Sequence, residues 1–168
     1  MKAIVSIIMG STSDWPVMKK AADFFETMEI PFEVNALSAH RTPEEVEKFA
    51  KNSVENGIKV IIAGAGMAAH LPGVIAAMTP IPVIGVPIKA SLDGLDSLLA
   101  IVQMPPGIPV ATVAINGALN AGILASQMLA TNDSTIFSKT VSYKKDLKNK
   151  IVKANQELEK EKFKFRVS

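Results

Sequence analysis

Five short apolar runs alternate with five stretches of helical spacing, and that alternation leaves few folds open to this chain. The first run, residues 3–9, is apolar but for Ser6, as a strand covered on both faces requires. Residues 14–28 follow with Val17, Ala21, Phe24, Phe25 and Met28 on one stripe, the spacing of a helix lying on a core. The same reading predicts strands at 32–37, 60–63, 82–86 and 110–115. It predicts helices at 43–56, 68–78, 94–103 and 117–129, with Gly57 closing the first of these and Pro105-Pro106-Gly107 ending the third.

Strands that alternate with helices imply right-handed crossovers and a parallel sheet. Five such units predict an α/β fold, a three-layer flavodoxin-like domain with a five-stranded parallel sheet, carried by residues 1–132. In open parallel sheets ligands sit at the carboxyl ends of the strands. Four polar or glycine-bearing segments fall there: residues 10–14, 38–41, 64–70 and 87–94. Residues 133–168 are different in kind. From 141 to 165 they are rich in Lys and Glu, with Leu147, Ile151, Ala154 and Leu158 at helical spacing. A narrow apolar stripe on a charged helix wants a partner surface, so this C-terminal helical tail is expected to pack on a neighbouring subunit.

Composition narrows the function. A net charge of +2 leaves no electrostatic footprint for nucleic acid. The absence of cysteine excludes disulfides and thiolate metal sites, and it fits a reducing cytoplasm. The N-terminal apolar run is too short for a signal peptide and ends in a Gly-Ser turn, and no apolar run reaches the roughly 20 residues of a membrane helix. Aromatic residues make up only 5% of the chain, so close contacts through Ala, Gly and Met are expected to do much of the packing.

Three segments carry the polar chemistry. Ser38-Ala39-His40-Arg41 puts one of only two histidines beside an arginine, just before Thr42-Pro43-Glu44-Glu45. Thr42 suits an N-cap, Pro43 the first helical position, and Glu45 the reciprocal place of a capping box. Gly10-Ser11-Thr12-Ser13-Asp14 joins the first strand to the first helix. Its hydroxyls and free N–H groups suit a phosphate, and the Asp14 carboxylate suits sugar hydroxyls; simple capping by Ser13 or Asp14 is the plainer alternative. Ala63-Gly64-Ala65-Gly66-Met67-Ala68-Ala69-His70-Leu71-Pro72-Gly73 lets a flat ligand lie against backbone. His70 fits either this site or the core, satisfied there by a carbonyl. The two histidines stand 30 residues apart with no carboxylate cluster nearby, so no metal is expected. With no cysteine and no Gly-x-Ser-x-Gly elbow, proton transfer by histidine is the economical chemistry.

These motifs, together with Val102-Gln103-Met104-Pro105, closely resemble the N5-carboxyaminoimidazole ribonucleotide mutase family of purine biosynthesis. The resemblance runs in order over residues 3–132, with Thr12 and Met67 as small departures. It implies an octamer that uses no ATP, metal or organic cofactor and moves a carboxyl group from the exocyclic nitrogen of a phosphorylated aminoimidazole ribonucleotide to ring carbon C4. It implies that Ser11, Asp14 and Arg41 hold the ribose phosphate, that His40 is the proton shuttle, and that Gly64, Ala65 and Gly66 wall the imidazole and carboxylate. Gly10, Ser13, Ser38 and Ala39 join the binding residues from the first two motifs, and Ala69, His70 and Leu71 from the third.

The alternatives lie close by. A direct aminoimidazole ribonucleotide carboxylase would use free carbon dioxide, but the segment after the third strand resembles the mutase class. A non-enzymatic receiver would need an aspartate where this chain has Ala63-Gly64, and a flavin carrier would want more aromatics than the single Trp15.

Overall fold

Ile7 and Ile8 point to opposite sides of one sheet, and each is fully buried in a core of its own. The computed structural model describes residues 2–167. Its strands are β1 (Val5–Met9), β2 (Phe32–Ala36), β3 (Val60–Gly66), β4 (Val83–Ile88) and β5 (Ala111–Thr112). Its helices are α1 (Trp15–Met28), α2 (Pro43–Asn52), α3 (Leu71–Ala76), α4 (Leu95–Val102), α5 (Ala118–Ala130) and α6 (Ser134–Glu159). The strands pair in parallel in the order β2-β1-β3-β4-β5, the flavodoxin-like order expected from the sequence.

Two-residue alternation explains the two cores. Ile7, Met9, Ile62 and Ile84 face α1 and α5; Ile8, Ile61, Ala63 and Val83 face α2, α3 and α4. Removing such a side chain, as in Ile62→Ala, costs about 2–5 kcal/mol. Small residues do carry close packing: a Cβ added at Gly122 of α5 would stand 3.1 Å from Phe24 Cδ1 of α1.

Several boundaries depart from expectation. β3 runs on through Gly66 instead of stopping at residue 63, because Ala63, Gly64 and Ala65 still pair with Gly85, Val86 and Pro87 of β4. α3 begins at Leu71, since Met67 and Ala69 take positive φ values of 57° and 45° that a helix cannot include. α2 stops at Asn52, four residues early, and turns carry the chain to Gly57. β5 shrinks to two residues at the sheet edge, although Val113 N–H still donates to the Gly85 carbonyl at 3.1 Å. α6 starts at Ser134 because Asp133 caps it, Oδ1 accepting the N–H groups of Thr135 and Ile136 at 2.9 Å each. None of the helices among the described residues is long and apolar enough to cross a membrane.

The capping box does not form. Thr42 makes no cap bond with its side chain; its hydroxyl instead accepts Ser38 N–H at 2.9 Å and donates to Ser38 O at 3.2 Å. That hydroxyl is spent on closing the loop that carries His40.

Candidate functional site: a cleft at the strand ends

The sheet order reverses at β1: the chain leaves β1 for β2 on one side and then crosses back past β1 to β3 on the other. The loops leaving β1 and β3 therefore diverge and open a crevice at the carboxyl edge. A cleft of about 590 Å³ fills it, within the range for a small-molecule site. Gly10, Ser11, Ser13 and Asp14, residues 38–41 and residues 65–71 line it, with Ala90 just past the end of β4.

The first wall is the β1–α1 turn. Ser11 is extended and caps a short 3-10 turn, its Oγ accepting Ser13 N–H at 3.3 Å and Ser13 O–H at 2.9 Å. Asp14 follows at the start of α1 without capping it. Burial pushes the Asp14 carboxyl above its ordinary value of 3.8, while hydrogen bonds from Ser11 and Ser13 and the charge of Arg41 pull the other way.

Arg41 ties the first wall to the second. Its Nη2 donates to Gly10 O at 2.9 Å and its Nε to Ser38 Oγ at 3.4 Å. The Ser38 hydroxyl also accepts Arg41 N–H at 3.3 Å. Leu37 N–H donates to Met9 O at 2.9 Å, so the loop starts where the sheet still holds it.

The third wall is the turn after β3. Ala69 N–H donates to Gly66 O at 3.1 Å and folds the chain back, with Met67 and Ala69 in left-handed backbone. Such non-glycine residues cost of order 1–3 kcal/mol each, so the neighbouring structure must enforce them. The turn delivers His70 to His40: Nε2 of His40 lies 2.8 Å from Nδ1 of His70, with ring planes 77° apart. One nitrogen must donate and the other accept. His70 is therefore neither in the core nor satisfied by a carbonyl; it is exposed in the cleft.

Of the residues expected from the sequence, Gly10, Ser11, Ser13, Asp14, Ser38, Ala39, His40, Arg41, Ala65, Gly66, Ala69, His70 and Leu71 all line the cleft. Gly64 does not. It lies within β3, and any Cβ there would enter the side chain of Met18 on α1. Its carbonyl accepts Gly10 N–H at 3.4 Å, so it positions the first wall from behind. Met67 and Ala68, inside the expected small-residue segment but not counted among the binding residues, line the cleft too, as does Ala90. The strand-end rule pointed at the segment holding Ala90, but nothing in the residue type marked it.

A larger hollow of about 840 Å³ lies between α5 and α6 and shares no residue with the cleft. Its Asp133 is committed to capping α6, and it contains no histidine. Among the described residues no three His, Asp or Glu side chains gather as a metal site.

A family model described as AIR carboxylase matches residues 4–150. Over 159 residues the chain is 57% identical to N5-carboxyaminoimidazole ribonucleotide mutase of Pyrococcus horikoshii, spanning 94% of this chain and 90% of that one. Over 156 residues it is 56% identical to the mutase of Thermotoga maritima, with 92% and 91% covered. It is also 54% identical over 158 residues to the chloroplastic phosphoribosylaminoimidazole carboxylase of Vigna aconitifolia, but spans only 28% of that longer protein. The crystal structure of Treponema denticola PurE superposes with a TM-score of 0.85 at 29% identity, covering 94% of this chain and 99% of that one.

Proposed function

The chain belongs to the AIR carboxylase family, and from that footing we propose that it is an isomerase acting on N5-carboxyaminoimidazole ribonucleotide. It moves the carboxyl group from the exocyclic nitrogen to ring carbon C4, giving 4-carboxy-5-aminoimidazole ribonucleotide for purine biosynthesis. The observation that carries the reading at the site is His40 Nε2 facing His70 Nδ1 in a cleft walled by the Gly10–Asp14 turn and Arg41.

The reaction needs two proton transfers of opposite sense. His40 gives a proton to the carbamate nitrogen; the N–C bond breaks, its electron pair stays on nitrogen, and carbon dioxide leaves. The electron-rich C4 then attacks that carbon dioxide, and His40 takes the C4 proton back, restoring itself. No other acid, base or electron carrier enters the balance. His70 holds the Nε2 position of His40 and fixes which nitrogen carries the proton between turnovers. Ala65, Gly66, Ala68 and Ala69 offer an apolar wall where carbon dioxide stays beside the ring, a proximity effect. Ser11, Ser13, Asp14 and Arg41 hold the ribose phosphate; Gly10, Ser38, Ala39 and Leu71 complete the binding surface.

Residues 1–132 form the catalytic domain, and residues 133–168 the tail that meets a neighbouring subunit in a homo-octamer. The octamer and a cytoplasmic location rest on the family resemblance. In support of the tail's role, every described residue from 144 to 167 is exposed.

The test is to add fresh N5-carboxyaminoimidazole ribonucleotide to pure protein, without ATP or added bicarbonate, and to follow the C4-carboxylated product by ultraviolet absorbance. Formation above background supports the mutase. Product only from aminoimidazole ribonucleotide and carbon dioxide would move the chain to the direct carboxylase.

A further inference from the structure

β4 outruns its edge neighbour. Its pairing with β5 ends where Gly85 faces Thr112, and Val113 N–H adds one bond to the Gly85 carbonyl at 3.1 Å. β4 continues to Ile88, and the loop at 89–94 then brings Ala90 to the cleft. Past Gly85 a single residue takes over along that side. Asn116 N–H donates to Pro87 O at 2.8 Å, and Asn116 Oδ1 accepts Lys89 N–H at 3.0 Å. The backbone of Asn116 makes one rung and its side chain the next.

Asn116 is the third residue of a turn closed by Gly117 N–H to Ala114 O at 2.8 Å, and its φ is +57°. Side chains seldom tolerate that left-handed backbone; glycine takes it freely, and asparagine and aspartate are among the few others that do. Glycine would satisfy the turn. Only a side-chain acceptor satisfies Lys89 N–H.

The loop that Asn116 holds is folded on itself. Leu92, Asp93 and Gly94 take φ values of +42°, +54° and +86° in succession. Ser97 Oγ, fully buried on α4, bonds the Ile88 carbonyl at 3.0 Å and the Gly94 carbonyl at 2.9 Å. Ser91 O–H donates to Asp96 Oδ2 at 2.6 Å, and Lys89 Nζ pairs with Asp93 at 2.7 Å. These bonds give residues 89–94 their shape. Among the described residues, the bond to Asn116 is the hydrogen bond that ties them to something beyond α4 and the loop itself.

The shape matters at Gly66. A Cβ added there would stand 3.2 Å from Ala90 Cβ and 3.2 Å from Ile88 O, so Ala90 closes directly on the small-residue turn after β3. Ala90 is bonded in sequence to Lys89, and a shift of one moves the other. We propose that Asn116 is a positioning residue: through Lys89 N–H it holds Ala90 against Gly66 and keeps the fourth wall of the cleft shut. It lines no part of the cleft itself. The proposal rests on the proposed function for the identity of the ligand. A wall that touches substrate alike before and during reaction contributes uniform binding, so loosening it raises KM and spares kcat.

The experiment compares Asn116→Gly, which keeps the turn and removes the acceptor, with Asn116→Asp, which keeps both. In Asn116→Gly, amide hydrogen exchange over residues 88–94 is expected to run at least about fivefold faster than in the parent. KM is expected to rise about 2–10-fold, the worth of one neutral hydrogen bond, with kcat within about twofold. Asn116→Asp is expected to return exchange and KM to the parent values. Unchanged exchange in Asn116→Gly would overturn the anchoring. Faster exchange with an unchanged KM would overturn the wall, and a kcat that falls with Tm in both variants would leave Asn116 a folding residue only. Calorimetric titration with aminoimidazole ribonucleotide reads the grip of the wall without turnover. A parent that binds this nucleotide but does not isomerise the carbamate sinks the mutase reading alone, and the affinity ratio of parent to Asn116→Gly then decides this one by the same 2–10-fold criterion.

Discussion

His40 and His70 are thirty residues apart in the chain and 2.8 Å apart at their ring nitrogens, His40 on the loop after β2 and His70 on the turn after β3. β1 lies between those strands, so the pair spans the crevice where the strand order reverses.

His40→Asn is expected to keep ligand affinity within a few-fold while turnover falls by about 10²–10⁴, the usual contribution of a positioned acid–base group. Titration calorimetry and the absorbance assay read the two quantities separately. Near-normal turnover would remove His40 from the proton path.

His70→Asn removes the partner of His40 and leaves the shuttle itself. About a 10-fold fall in kcat is expected, with KM little changed, because general acid–base catalysis needs the His40 ring held in the geometry that the His70 contact gives it. A kcat within twofold of the parent would show that His70 does not position His40.

Arg41 joins the Gly10 carbonyl to the Ser38 hydroxyl. Lysine cannot reproduce that fork, so Arg41→Lys is expected to raise KM by about 10–100-fold, the worth of a charged hydrogen bond of about 1.5–3 kcal/mol. A KM within twofold of the parent would assign the arginine to folding alone.

Gly64→Ala is expected to act on stability and not on binding. Its methyl group would enter fully buried Met18, and overpacking of about 1–3 kcal/mol lowers Tm by about 2–10 °C. A raised KM with Tm unmoved would place Gly64 against the ligand after all.

Asp14 links stability to pH. Its folded pKa is raised, so the folded chain keeps that proton to a higher pH than the unfolded chain. Stability is fullest below the ordinary value of 3.8 and declines as pH rises through the folded pKa, leaving a small penalty at neutral pH. Asp14→Asn is expected to raise Tm slightly at pH 7, the effect softened by solvent screening, while weakening ligand binding. Calorimetric melts at pH 4 and pH 7 check the sign: the gain belongs at pH 7.

Much of this was legible in the residues. The apolar run of β1, interrupted only by Ser6, announced a strand buried on both faces, and the alternation of periods implied the parallel sheet. The strand-end rule then collected the cleft from three distant loops. The misreadings share a cause. Gly64 was recognisable as a place where bulk is forbidden, but sequence does not say whether a ligand or Met18 forbids it. Thr42-Pro43-Glu44-Glu45 had the composition of a capping box, yet a hydroxyl has only so many partners, and Ser38 takes this one. The histidine pair was invisible because contact across a crossover leaves no local pattern.

The reversal of strand order at β1 also bears on how the chain comes into being. The cleft needs residues 10–14 and 38–41 beside residues 65–71, and they meet only when β3 has paired with β1. A chain emerging from synthesis has no site until roughly its first seventy residues are out and that non-local pairing is made. Any ligand that grips all three loops then holds the sheet closed as well. Substrate is in this sense a late structural member of the domain, and its concentration should protect the β1–β3 half of the sheet from opening before it protects anything else.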